Sequence, residues 1–196
     1  MREIIEKGYA RKVNAEELAP HKGKVWYLPH NGAYHPRKPS IIRVVFDCSA
    51  RYQGESLNDH LLQGLDLTSK LTGVLTRFRE ERVAFMAYIE KMFFQVKVMK
   101  EDQDYLRFLW WPNGDLTQEP QEYCMTAHLF GAGSSPGFSN FALKRTAEDG
   151  EGEFGVRAAE KLKKNFYVDD ALKSVPTEEE AVELIHAVKG MCAKGA

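Results

Sequence analysis

Two adjacent aspartates carry the clearest chemical signal in this chain, in Phe166-Tyr167-Val168-Asp169-Asp170-Ala171-Leu172. Apolar and aromatic residues flank the pair on both sides, and Lys173-Ser174-Val175 prolongs the second flank until Pro176 stops it. The pattern predicts a strand, a tight turn and a returning strand, with both carboxylates at the turn. Neighbouring aspartates repel each other and disfavour β structure, so their pairing calls for compensation. A divalent cation supplies it, because magnesium takes hard oxygen ligands and shares its shell with substrate phosphates. An ordinary Asp-rich hairpin turn is the plainer alternative.

Other residues offer weaker chemistry. Arg43 interrupts the apolar run Ile41-Ile42-Arg43-Val44-Val45-Phe46-Asp47, which reads as a strand. Its guanidinium suits a triphosphate, or its stem lies along an exposed sheet edge. The stretch Leu129-Phe130-Gly131-Ala132-Gly133-Ser134-Ser135-Pro136 combines glycines with a helix start, Ser135 as cap and Pro136 at the first turn. Such a start favours anions, or it is simply a tight strand-to-helix turn. His30 and His35 lack the spacing of a structural zinc site and read as loop residues.

The positioning elements follow from periodicity. Leu67, Leu71, Val74, Leu75 and Phe78 make one apolar stripe, predicting a helix over 67–79 capped by Asp66. Val83 to Ile89 reads as a buried strand, and the chain bends through 90–94. Residues 96–111 supply strand material with Lys100 to Asp104 as a polar turn, and 121–126 is the partner strand that completes a hairpin. The acidic, Gly-rich segment 148–155 reads as a loop, followed by a short helix over 156–164. Thr177 and Glu180 form a capping box for a last helix with Ala181, Leu184, Ile185 and Val188 on its apolar face. Residues 1–40 read as loop-rich, with Trp26-Tyr27-Leu28 as a short strand. Strands and helices intermix without regular βαβ alternation, so the class is α+β.

Composition sets outer bounds. The 196 residues suffice for a sizeable core, with 43% apolar and 28% charged residues and a net charge of −1. Residues 1–52 hold 10 basic against 5 acidic side chains, and the remainder 17 against 23. That asymmetry fits a basic face for phosphates beside an acidic face for metals, or two solvated surfaces. Three scattered cysteines and a charged N-terminus lacking a signal-like apolar core point to an intracellular protein. No apolar run reaches membrane-spanning length, so no membrane partner is expected.

Taken in order, Trp26-Tyr-Leu-Pro-His30, Arg43-Val-Val-Phe-Asp47, Ser56-Leu-Asn-Asp59, Leu61-Leu-Gln-Gly64, Arg107-Phe-Leu-Trp-Trp-Pro112, Leu129-Phe-Gly131 through Ser134-Ser-Pro136 and Asn165-Phe-Tyr-Val-Asp-Asp170 resemble a reverse transcriptase. The resemblance is to the Bel/Pao group of LTR retrotransposons and covers nearly the whole chain. It implies the fingers and palm of a right-handed polymerase without the thumb, residues 1–80 being mostly fingers and 81–196 mostly palm with a fingers insertion. It further implies a fragment of a longer polyprotein with RNase H and integrase portions, working in the cytoplasm inside a retrotransposon particle, or in the nucleus. Its partners would be an RNA or DNA template–primer and deoxynucleoside triphosphates.

The resemblance also implies chemistry. Three aspartates hold two magnesium (or manganese) ions that clamp the attacking oxygen and the leaving pyrophosphate. Asp169 and Asp170 match two of them, with the Ile89 backbone as a further ligand, but the third position is Tyr88. A phenol titrates near pH ~10 and is neutral at working pH, so it cannot bridge two cations. Loss of that ligand is expected to cost on the order of 10⁴-fold in rate. Glu90 could substitute only if the strand continued to it. Arg43 and Lys38 match cationic contacts to the triphosphate, and Phe93 the aromatic that excludes a 2′-hydroxyl, or else it is core. Phe130 precedes Gly131 where retroviral relatives carry glutamine. The alternatives are a decayed or repurposed polymerase fold that binds nucleic acid or a partner without synthesis, and a non-enzymatic interaction module.

Overall fold

The computed structural model describes residues 1–18, 25–35 and 38–195, with side chains described outside 35–41. In chain order the helices are α1 (Arg2–Glu6), α2 (Leu57–His60), α3 (Leu71–Phe78), α4 (Ser135–Phe154), α5 (Val156–Lys164) and α6 (Glu178–Lys194). The strands are β1 (Ala10–Lys12), β2 (His30–His35), β3 (Lys38–Phe46), β4 (Val83–Tyr88), β5 (Arg107–Trp110), β6 (Gln121–Met125), β7 (Phe166–Tyr167) and β8 (Asp170–Val175). They divide between two compact units, one of residues 1–63 and 97–135, the other of 64–96 and 136–196.

In the first unit β6 lies between β1 and β5 in an antiparallel sheet, and β2 and β3 form a separate hairpin. The expected 107–111 and 121–126 hairpin is present as β5 and β6, Arg107 facing Cys124. The polar turn expected at 100–104 is present as the 3₁₀ turn Lys100–Leu106, which buries Gln103 and Leu106. Two strands went unexpected. β1 is three residues long, too short for any periodicity, and His30–His35 contains no β-branched residue. His30 and His35 are therefore strand residues, not loop; β2 is extended by its six-residue pairing with β3. Trp26–Leu28 makes one bridge, Tyr27 to Arg107, in place of a strand.

A buried guanidinium organises this unit. Arg107 is 2% exposed. It donates to Asp104 at 2.7 Å, to Glu122 at 2.8 Å and to the Glu17 carbonyl at 2.7 Å. Burial pushes its pKa down, but hydrogen bonds to Asp104 and Glu122 outweigh that and hold it above its usual value. Glu122 also accepts from the Tyr27 hydroxyl at 2.7 Å, so one carboxylate ties the bridge at Tyr27 to β6.

In the second unit β8 lies between β4 and β7, all antiparallel. Its core joins Leu143, Leu162, Phe166, Val175, Leu184 and Met191, with Val83 and Phe85 of β4 packed against it. Full burial of a side chain such as Leu162 or Met191 contributes about 1.5–3 kcal/mol. Helix α5 has the bounds its sequence predicts. Helix α3 begins four residues later than the stripe suggests, and Asp66 accepts from the Thr68 N–H instead of capping it. Segment 148–155 is not a loop, since α4 runs to Phe154 before Gly155 turns left-handed. Its glycine is a contact: a Cβ on Gly150 would sit 2.5 Å from Met191 Cγ, so the glycine lets α4 approach α6. On α6 the Thr177 hydroxyl accepts from the Glu180 N–H at 3.3 Å, one half of the expected capping box, while the Glu180 carboxylate accepts from Arg157. Among the described residues, no helix is long and apolar enough to cross a membrane.

Candidate active site

The Asp-Asp stretch folds as its pattern predicts. Tyr167 faces Asp170 across a two-residue turn, Val168-Asp169, and β8 starts at the second aspartate. Val168 adopts φ 56°, a left-handed backbone that β-branched residues avoid, at a cost of roughly 1–3 kcal/mol. Pairing on both sides of the turn imposes it. The Ile89 N–H donates to the Asp169 carbonyl at 2.9 Å, extending the β4–β8 ladder one residue beyond the strand and holding the turn against β4.

Register then decides what surrounds the carboxylates. Tyr88 of β4 stands directly opposite Asp170, so Tyr88, Asp170 and Tyr167 form one row across three strands. Side chains opposite each other in neighbouring strands share a face. That face is open: Tyr88 is 71% and Tyr167 38% exposed, Asp170 is exposed and Asp169 half-buried. Glu90 does not extend it. The strand ends at Tyr88, Lys91 turns left-handed at φ 51°, and the Glu90 carbonyl accepts from Gln95 Nε2. Among the described residues no group of three or more His, Cys, Asp or Glu side chains could hold a metal ion. Asp170 on that open face, with Asp169 before it in the turn, suits one hard divalent cation that takes its other ligands from water and phosphate. The two do not supply a third carboxylate to bridge a pair of cations.

Phe93 lies in the 3₁₀ turn Met92–Gln95 of the same unit and is 7% exposed. The other expected residues belong to the first unit. Arg43 is exposed on β3, paired with Ala33 of β2. Lys38 opens β3, but its side chain lies outside the described residues. Phe130 is exposed, and Gly131 has φ 100° with no room for a Cβ, which would stand 2.8 Å from the Phe46 carbonyl oxygen.

Asn58, within Ser56-Leu-Asn-Asp59, is a positioning residue with no local signal of that role. Its amide nitrogen donates to the Gly131 carbonyl at 2.9 Å and to Ser49 Oγ at 3.0 Å. Its Oδ1 accepts from the Gly133 N–H at 2.8 Å. Helix α2 supplies it, with the Asp59 carboxylate accepting from the Ser56 N–H at 3.0 Å. The Ser135 hydroxyl, expected as a cap, donates back to the Leu129 carbonyl at 2.8 Å and closes the 129–135 turn.

No protein-family model matches the chain, and no curated protein matches it in sequence. Solved structures do match. The foamy viral protease-reverse transcriptase in complex with double-stranded DNA superposes with TM-score 0.68 at 16% identity, over 98% of this chain and 28% of that one. The same protein with an RNA/DNA hybrid gives 0.68 at 16%, over 99% and 21%. A prototype foamy virus protease-reverse transcriptase mutant gives 0.69 at 15%, over 100% and 21%. The chain thus has a reverse transcriptase-like fold along nearly its whole length, and spans less than a third of these three proteins.

Proposed function

We propose that this chain is the fingers-and-palm part of a reverse transcriptase of the Bel/Pao type, whose nucleotidyl-transfer centre lacks one carboxylate. The reverse transcriptase-like fold supports the class. The observation that carries the reading is the register of Tyr88 opposite Asp170, beside a strained Asp-Asp turn. In this reading the first 80 residues are mostly fingers and the rest mostly palm. The chain works on an RNA or DNA template–primer with deoxynucleoside triphosphates, alongside RNase H and integrase portions of a longer polyprotein.

Asp169 and Asp170 would hold magnesium or manganese, which when bound screens the triphosphate charge and stabilises the leaving pyrophosphate. Tyr88 presents a phenol on that face where intact relatives present the third ligand, so metal binding and synthesis are both weak in this copy. Arg43 and Lys38 engage the triphosphate, and Phe93 excludes the ribose 2′-hydroxyl.

The test is magnesium-dependent primer extension by the chain joined to a thumb from an intact relative, with and without Tyr88→Asp. The native form should be nearly silent, and the aspartate form faster by roughly 10³-fold or more, by analogy with restored catalytic units. Equal extension by both would remove Tyr88 from the catalytic position, and Glu90→Gln in each form would show whether Glu90 serves instead.

A further inference from the structure

Among the described residues β2 and β3 pair only with each other, as a two-stranded sheet. A hairpin of that kind is marginal in water, so its stability depends on what its base packs against. Rings supply that packing. His30, the first residue of β2, faces Phe46, the last of β3, with ring centroids 5.5 Å apart. The same imidazole lies 5.7 Å from Phe108 and 5.6 Å from Trp110, both on β5. Phe46 meets Phe108 edge-on at 5.2 Å, and Tyr123 of β6 stacks on Phe108 at 5.8 Å. Phe46 is 3% exposed and Phe108 fully buried, so the contact is already closed within the first unit.

Of these rings, His30 alone titrates near neutral pH. The charges on the elements around it are engaged elsewhere or of like sign. Asp47, after Phe46, accepts from the Ser49 N–H at 2.9 Å, and Arg107, before Phe108, is bound by Asp104 and Glu122. The amino group of Met1 repels a charged imidazole, and among the described residues no carboxylate acts on it. A hydrogen bond to the Leu28 backbone favours the charged ring, but burial outweighs it and lowers the pKa. Attraction of a cation to ring faces offsets part of that penalty without supplying a counter-charge.

We propose that neutral His30 pins the base of the β2–β3 hairpin to β5, and that protonation releases the hairpin while the β1-β6-β5 sheet stays folded. In the docked hairpin the neutral ring is favoured, whereas a released ring titrates near its ordinary ~6.5. Docking is therefore complete above that value and weakens as pH falls below it. The hairpin carries Arg43, exposed on β3, so acid removes the support of that cation. The device is independent of the proposed activity, since it uses only ring packing inside the first unit.

The experiment is hydrogen exchange of the full chain by NMR at about pH 7.5 and about pH 5.5, corrected for the intrinsic effect of pH. Opening of the β2–β3 ladder, read at the protected amides of residues 31–34 and 42–45, should rise roughly three- to tenfold on acidification. Tenfold is about the ratio by which a free imidazole gains protons over that interval. Ladder amides of β5 and β6 should change by less than about twofold. His30→Phe keeps a ring in place and removes the titration, so its hairpin should open equally at both pH values. His128→Phe, at the other histidine whose pKa burial lowers, should leave the rise intact. A hairpin response below about twofold overturns the proposal, and so does an equal response in both sheets. A rise that survives His30→Phe or disappears in His128→Phe overturns it as well.

Discussion

At the residue scale two positions test the packing of the first unit. Gly131 combines φ 100° with a Cβ position 2.8 Å from the Phe46 carbonyl oxygen, and its own carbonyl accepts from Asn58. Gly131→Ala must adopt a left-handed backbone and displace β3, so a loss of about 2–4 kcal/mol is expected by urea denaturation. A loss below about 0.5 kcal/mol, the range of surface substitutions, would mean the turn relaxes freely. Arg107→Met removes the cation and leaves Asp104 and Glu122 facing each other around an apolar chain. Breaking a buried pair in this way costs about 3–5 kcal/mol, and the same measurement checks it. Both changes lie outside the Asp-Asp hairpin, so either one separates stability from chemistry.

At the element scale the β1-β6-β5 unit carries a pH signature. Burial lowers the pKa of His30, whose ring packs near Phe46, Phe108 and Trp110, and also that of His128. The folded state therefore binds these protons less readily than the unfolded chain. Stability from this source is complete above the unfolded value near ~6.5 and falls as pH drops below it. Glu17 behaves alike further down: its hydrogen bonds from the Arg11 guanidinium and the Asn14 N–H lower its pKa to about 2. That contribution is present above the ordinary value of 4.5 and is lost toward about 2. Urea midpoints measured from pH 8 downward should fall in two stages; His30→Phe should flatten the upper and Glu17→Gln the lower. Midpoints that fall in one stage unaffected by either change would refute the assignment.

The same elements show what the sequence makes readable. β4, α5 and the Asp-Asp hairpin have signals contained in a few consecutive residues: an apolar β run, a helical stripe, a pair of turn aspartates; the run in β4 marks the strand but not the expected burial, since one of its faces is exposed at Met86 and Tyr88. β2 has no such signal, because its extended form comes from β3. The glycines of α4 point locally to a loop, and only Met191, far along the chain, explains Gly150 in a helix. The site divides in the same way. The two aspartates are plain in the sequence, whereas the facing of Tyr88 and Asp170 is a register set between residues more than eighty positions apart. The role of Asn58 is likewise long-range, spanning 73 residues to Gly131.

At the scale of the whole molecule, charge decides how nucleic acid could be held. The basic excess of residues 1–52 suggests an electrostatic footprint, but the fold sets that segment in one unit with the acidic stretch 97–135. That unit then has 13 basic and 13 acidic side chains, and the other 14 and 15. Neither unit attracts phosphates by net charge. Binding of a template–primer, which the proposed function requires, would rest on single contacts such as Arg43, exposed on its hairpin. Each phosphate neutralised adds about 0.9 to the slope of log affinity against log salt. The expected slope is therefore shallow, about −2 to −3 for two or three contacts, against roughly −10 for strongly basic binders. Arg43→Gln should lower it by about one such step without changing the fold. Fluorescence anisotropy of a labelled primer–template at several salt concentrations measures both. A steep slope that Arg43→Gln leaves untouched would place the contacts elsewhere on the chain and remove Arg43 from the nucleic-acid and triphosphate site.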